Sequence, residues 1–142
     1  MTRDDLQALL ERHSAAWNRH DVDGLAAAHA ETGIVVSPMF GLATGREQIA
    51  KGYAALFRIF PDWTITFEAP VVDGLRLALA FSVTATQQGE FMGSPGSGKR
   101  STFEGVTLVR LRDDGLIDEE RRIYDFTGLL TQLGLLRVKL VV

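Results

Sequence analysis

A chain of 142 residues is sized for a single domain, residues 1–142, with room to bury a core and a pocket inside it. Net charge is −3, pI is about 5.6, and Lys and Arg are scattered without a basic stripe, which argues against nucleic acid as a partner. Cysteine is absent, so disulfides, thiol nucleophiles and Cys-metal sites are excluded. The opening Met1-Thr2-Arg3-Asp4-Asp5 does not read as a signal peptide, and no apolar run approaches the roughly 20 residues of a membrane span. The expected location is therefore the cytoplasm.

In chain order, Asp4 or Asp5 can cap a first helix that places Leu6, Leu10, His13 and Trp17 on one face. Asp21 can cap a second, Ala-rich helix through Leu25 and Ala28. Ile34-Val35-Val36 reads as a short buried strand ended by Ser37-Pro38, and residues 41–45 as a loop. A third helix from Arg46 carries Ile49, Tyr53, Leu56, Phe57 and Phe60 on one face and stops at Pro61-Asp62.

From Trp63 the period changes to alternation, with Trp63, Ile65 and Phe67 opposite Thr64, Thr66 and Glu68. Asp73-Gly74 predicts a hairpin, followed by a strand with Leu77, Leu79, Phe81 and Val83 on one side. A Gly/Ser/Pro loop, residues 93–98, precedes a strand over residues 102–112 and a second tight turn at Asp114-Gly115. The last long strand is expected over residues 117–125, and Thr127 can cap a short helix over residues 128–133. This order predicts an α+β fold: three N-terminal helices under a strongly curved, cone-shaped antiparallel sheet that encloses a small-molecule pocket. The apolar tail, residues 137–142, either packs on a partner subunit or is a free end.

Asp125 is the residue most suggestive of chemistry. Counting back by two puts Ile123, Arg121 and Glu119 on its face, and if Ile117 and Ile123 point inward, so does Asp125. A carboxylate in an apolar cone has its pKa raised and suits a general acid or base. The plainer alternative is that Asp125 caps the next helix or pairs with Arg121. The same counting places Glu120, Arg122 and Tyr124 on the outer face, where a second copy could dock. His13, one turn before Trp17, is either a proton shuttle or a hydrogen-bonded core residue, while His20 and His29 read as solvated. No His/Asp/Glu group has metal-ligand spacing. Residues 93–100 lack both the spacing and the following helix of a phosphate loop. Trp17, Tyr53, Phe57, Trp63, Phe67, Phe81 and Phe91 could line a cavity or fill a core.

Several stretches together carry a family resemblance. They are Trp17-Asn18-Arg19-His20-Asp21, Gly45-Arg46-Glu47-Gln48-Ile49, Phe60-Pro61-Asp62-Trp63 and Gly89-Glu90-Phe91-Met92-Gly93. The ending Tyr124-Asp125-Phe126-Thr127-Gly128-Leu129-Leu130-Thr131-Gln132-Leu133-Gly134 is the most distinctive. The chain thus resembles the SnoaL-like polyketide (ester) cyclases of the nuclear transport factor two-like, or cystatin-like, superfold. The resemblance implies a homodimer, a hydrophobic cavity, a small hydrophobic partner molecule, and aldol cyclisation of polyketides without metal or cofactor. It also maps the family's acid/base aspartate onto Asp125.

Two departures qualify that expectation. Gln87 stands where family members often carry a His before the Gly-x-Phe-x-Gly turn, and an amide cannot transfer a proton at neutral pH. Ser37 stands before Pro38 where related ketosteroid isomerases carry their Asp base. The sequence therefore predicts an aldol-type cyclase, or a related isomerase or lyase, acting on an apolar carbonyl compound. Asp125 would be its acid/base and Gln87, Tyr53, Trp17, Phe57, Trp63, Phe91 and Arg121 would contact the substrate. The alternative is a non-catalytic binder of a hydrophobic metabolite.

Overall fold

The structure, a computed structural model, describes residues 1–141; Val142, the last residue of the apolar tail, lies outside the described residues. Helix α1 (Arg3–Asn18) begins at Thr2, not at Asp4 or Asp5. The Thr2 hydroxyl accepts from the Asp5 N–H while the Asp5 carboxylate accepts from the Thr2 N–H, a capping box that serves two otherwise free donors. Helix α2 (Val22–Ala27) is capped by Asp21, as the sequence predicts. Helix α3 (Gly45–Ile59) buries Ile49, Tyr53, Leu56 and Phe57, the stripe read from its 3.6-residue period.

Seven strands form one curved, open sheet in the order β2-β1-β7-β6-β5-β3, with a short β4 paired to β5. They are β1 (His29–Ser37), β2 (Gly41–Thr44), β3 (Thr64–Phe67), β4 (Val71–Asp73), β5 (Arg76–Thr86), β6 (Arg100–Leu111) and β7 (Ile117–Tyr124). The expected loop over residues 41–45 is instead the edge strand β2, which hairpins onto β1 through Ile34–Thr44 and Ser37–Gly41. The Asp73-Gly74 hairpin joins β4 to β5 with Gly74 at φ 60°, the left-handed region that favours glycine. All strand pairs are antiparallel except β1 with β7, so the expected antiparallel sheet carries one parallel pair where the N-terminal strand returns to the C-terminal one.

The helices lie against the concave face. Leu77, Leu79, Phe81 and Val83 of β5 are buried there, matching the alternation in the sequence, and Phe103, Val109 and Leu111 of β6 are buried beside them. Aromatic residues fill the centre: Trp17 lies edge-on to Tyr53 at 5.0 Å and stacks on Trp63 at 6.1 Å between ring centres. Such contacts add about 0.5–1.5 kcal/mol each beyond the area they bury.

One irregularity decides what the sheet shows to its interior. Between β6 and β7, Arg110 pairs with Glu119 but Leu111 pairs with Ile117, leaving Asp118 as one extra residue in β7. This β-bulge shifts the phase of side chains by one. Ile117 points inward, but beyond the bulge it is Glu120, Arg122 and Tyr124 that face the interior, while Arg121, Ile123 and Asp125 turn outward. The face assignment made by counting back from Asp125 is therefore reversed.

Candidate functional site

The interior holds a narrow cavity of about 40 Å³, walled largely by apolar side chains from α1, β3, β5 and β6. Polar groups enter it from only a few residues, chiefly His13, Glu120, Arg122 and Thr107. Five of its wall residues, Leu10, His13, Phe67, Leu79 and Leu111, also border an open groove of about 1070 Å³ between α1 and the β3–β5 end of the sheet. The inner cavity and the groove thus share a wall, and a ligand larger than the inner void must part it.

The phase shift at Asp118 brings a carboxylate and a guanidinium inside. Glu120 is 3% exposed, and its Oε2 accepts from Arg122 Nε at 2.5 Å. Arg122 also donates to the Tyr53 hydroxyl at 2.8 Å, and its guanidinium lies 5.0 Å from the Trp17 ring centre and 5.1 Å from that of Tyr53. This is cation–π stacking on two rings. Burial alone would push Glu120 up, but the adjacent Arg122, with His29 and His13, outweighs it and holds the carboxyl far below the usual range. Burial opposes the charge on Arg122 too, yet Glu120 keeps it firmly protonated. Burial raises the Tyr53 hydroxyl well above its ordinary value and pushes Tyr124 up to about 12, so both remain neutral donors.

Two histidines flank this pair. His13 Nε2 accepts from the Trp17 indole N–H at 3.2 Å, as the helical spacing of four residues allows. An indole nitrogen can only donate, so the neutral His13 ring carries its proton on Nδ1. Burial lowers the His13 pKa to about 4, against the pull of Glu120, so the ring is neutral near pH 7. His29 is fully buried, contrary to its reading as a solvated residue, because it opens β1 beneath α3. Its Nδ1 donates to the Leu25 carbonyl at 2.9 Å. Its Nε2 lies 3.4 Å from Glu120 Oε1 without the direction of a hydrogen bond, so that contact is electrostatic.

The residues expected to form the site separate into distinct places. Trp17 and Trp63 line the cavity. Tyr53 backs it through Arg122, and Phe57 packs behind Trp17 at 6.1 Å. Phe91 is buried between Phe60 and Phe126, away from the cavity wall. Gln87 is fully buried but organises the following loop, donating to the Gly89 and Pro95 carbonyls and accepting from the Ser97 hydroxyl. Arg121 is exposed on the outer face. Asp125 is exposed and caps helix α4 (Phe126–Gln132), with Oδ1 accepting from the Gly128 N–H at 2.8 Å. The cap is thus Asp125, not Thr127, and the bulge is the reason Asp125 stays outside. His20, also read as solvated, is half-buried: it stacks on Phe57 at 4.2 Å and bonds the Trp63 carbonyl at 2.8 Å.

Asp125→Asn is accordingly expected to leave turnover and ligand binding within about twofold of the parent, and stability nearly unchanged, since Asn caps as well as Asp. Urea unfolding alongside a binding titration checks this; a hundredfold loss of activity with intact stability would restore a catalytic aspartate.

Among the described residues no three His, Asp or Glu side chains are grouped to hold a metal ion, and no helix is long and apolar enough to cross a membrane.

Comparison with known proteins gives a consistent result. The SnoaL-like polyketide cyclase family matches residues 7–133. Among solved structures, AclR from Streptomyces galilaeus, a candidate hydroxylase, is 29% identical with a TM-score of 0.81, covering 96% of this chain and 100% of that one. IdmH from Streptomyces antibioticus, a candidate polyketide cyclase, is 27% identical with a TM-score of 0.75, covering 90% of this chain and 97% of that one. An NTF2-like protein from Burkholderia pseudomallei, 14% identical with a TM-score of 0.77 over 89% and 95% of the two chains, shares the fold alone. No curated protein matches significantly.

Proposed function

The chain belongs to the SnoaL-like polyketide cyclase family, and from that premise we propose that its cavity performs acid–base chemistry on a small apolar carbonyl compound of polyketide type. The reaction is an intramolecular aldol closure. A proton leaves the carbon between two carbonyls, the enolate carbon attacks a third carbonyl of the same molecule, and the proton passes to the new alkoxide. One observation carries this reading: Glu120, buried and ionised, stands in the wall of a largely apolar cavity beside the neutral ring of His13. Perturbed titratable groups of this kind collect at functional sites.

Glu120 is the proton acceptor in this scheme, and His13 offers its Nδ1–H to the enolate oxygen. Arg122 sits beside Glu120 and supplies a fixed positive field that favours the developing negative charge. A carboxylate held this acidic by Arg122 is a poor base, so the step depends on the two flanking carbonyls, the Arg122 charge and the His13 Nδ1–H to stabilise the enolate as it forms. Incubation with linear poly-β-carbonyl chains, followed by mass spectrometry and absorbance for ring closure, tests the proposal; acceleration over buffer supports it, and binding without closure rejects it.

A second reading, non-catalytic carriage of a hydrophobic metabolite, is favoured by one observation. The two residues expected to handle protons or carbonyls, Asp125 and Gln87, are engaged as a helix cap and a loop brace. Binding without turnover would select it.

We also propose that two copies pair through the convex face of the sheet, on different residues from those first assigned. Val106, Leu108 and Ile123 are 37%, 42% and 51% exposed there, with Val106 directly opposite Ile123 across the ladder and Leu108 opposite Arg121. The expected result of Leu108→Glu with Ile123→Glu is a monomer by light scattering with unchanged far-ultraviolet dichroism; a parent that is itself monomeric at micromolar concentration removes the proposal.

A further inference from the structure

Two buried polar groups at the cavity have no hydrogen-bond partner: the indole N–H of Trp63 and the hydroxyl of Thr107. Both residues line the cavity and each is 5% exposed. Native interiors pair nearly all such groups, because burying one unpaired sacrifices the bonds it makes to water. The surroundings explain the lack. Trp63 is held by Trp17, Phe60 and Phe103, none of which offers an acceptor to an indole. Thr107 lies opposite Arg122 across the ladder, but the guanidinium is directed to Glu120 and Tyr53.

The two groups are also apart. Trp63 packs on Phe103 at 5.7 Å, and Thr107 is four residues further along β6, about 13 Å at the usual rise per residue of a strand. Between them the space where a Gly105 side chain would begin is already taken, by the Ile123 carbonyl oxygen at 2.5 Å, Phe81 at 2.7 Å and Tyr124 at 2.8 Å, so a ligand that reaches both groups must displace the Phe81 ring.

We infer that Trp63 and Thr107 are a specificity-determining pair, which hold a flat apolar ligand lengthwise by an oxygen at each end. This rests on the reading of the cavity as a carbonyl-compound site and adds the orientation of the ligand within it. The ends are not equivalent. The indole donates only, so the oxygen it meets is an acceptor, whereas the threonine hydroxyl donates or accepts and takes a carbonyl or a hydroxyl.

The test compares the parent, Trp63→Phe and Thr107→Val for binding of anthraflavic acid, a linear three-ring quinone with a hydroxyl at each end. Anthraquinone, which lacks both hydroxyls, is the control. Each substitution is expected to weaken anthraflavic acid about fivefold to tenfold, the worth of one net hydrogen bond, and to leave anthraquinone unchanged. Thr107→Val, which deletes an unpaired hydroxyl at nearly constant shape, should melt no lower than the parent without ligand. A merely structural threonine would instead lower the melting temperature and weaken both compounds alike. Equal affinity of the parent for both quinones would overturn the pair while leaving the site reading in place. Failure of the parent to bind either would overturn both.

Discussion

Glu120→Ala is expected to destabilise the fold by about 3–5 kcal/mol, the cost of leaving one charge of a buried pair without its partner. Arg122 is the charge left behind, 13% exposed in its side chain and bonded otherwise only to Tyr53. Glu120→Gln separates stability from chemistry. Its amide oxygen can still accept from Arg122, so the fold should lose less, but it cannot take a proton, and ring closure should fall at least a hundredfold. Turnover of the Gln variant at the parent rate would end the role of Glu120 as base. The double change Glu120→Gln with Arg122→Met removes the unpaired charge as well. Chemical denaturation should show it recovering part of the stability, because replacing both members of a buried pair is often neutral or better, while activity stays lost. Recovery of activity would mean that the cavity works by shape alone.

This pair also marks where the sequence ceases to be legible. The helices, the hairpins at Asp73-Gly74 and Asp114-Gly115, and the buried face of β5 follow from turn residues and periodicity, because each is set by local spacing. The α+β class and the SnoaL-like family follow from the same residues. The edge strand β2 was hidden because Gly41-Leu42-Ala43-Thr44 has little strand propensity and is held by pairing with β1 alone. The face of β7 was hidden for a deeper reason. Alternation specifies a face only while the ladder is unbroken, and a single extra residue at Asp118 exchanges every later position. Read without the bulge, Asp125 enters the cavity and Glu120 leaves it; with the bulge the two trade places. The charges supplied no signal either. Arg121-Arg122 and Glu119-Glu120 place like charges in adjacent positions, so either phase buries one acid and one base, and charge content alone could not choose between them. The partnership of His13 with Trp17 was legible in their spacing of four, but His29 carried no local mark of burial, since its environment comes from α3 and β7, distant in sequence.

The histidine that was legible gives the clearest pH dependence. His13 has an unperturbed pKa near 6.5 and a folded value of about 4, lowered by burial and, to a smaller degree, by the neighbouring His29 and Arg122, with Glu120 pulling the other way. Between pH 4 and pH 6.5 the unfolded chain therefore binds more protons at this position than the folded one. Stability must rise with pH across that window, and fall on acidification through it, by up to about 3 kcal/mol for a shift of this size. Glu120 acts mainly below the window: its carboxyl is depressed in the fold, so its contribution is fully present above the unfolded value near 4.5 and is lost progressively as pH falls from there toward the folded value. Urea unfolding at a series of pH values should show the slope between pH 4 and pH 6.5 in the parent and its flattening in His13→Gln. Gln keeps an acceptor for the Trp17 indole N–H but has no proton to gain. A slope that survives the substitution would assign the titration to another group and leave His13 as a packing residue. Its disappearance, together with a drop in ring closure at neutral pH, would tie the neutral ring to the chemistry, because only the uncharged imidazole accepts from Trp17 while presenting Nδ1–H to a carbonyl oxygen.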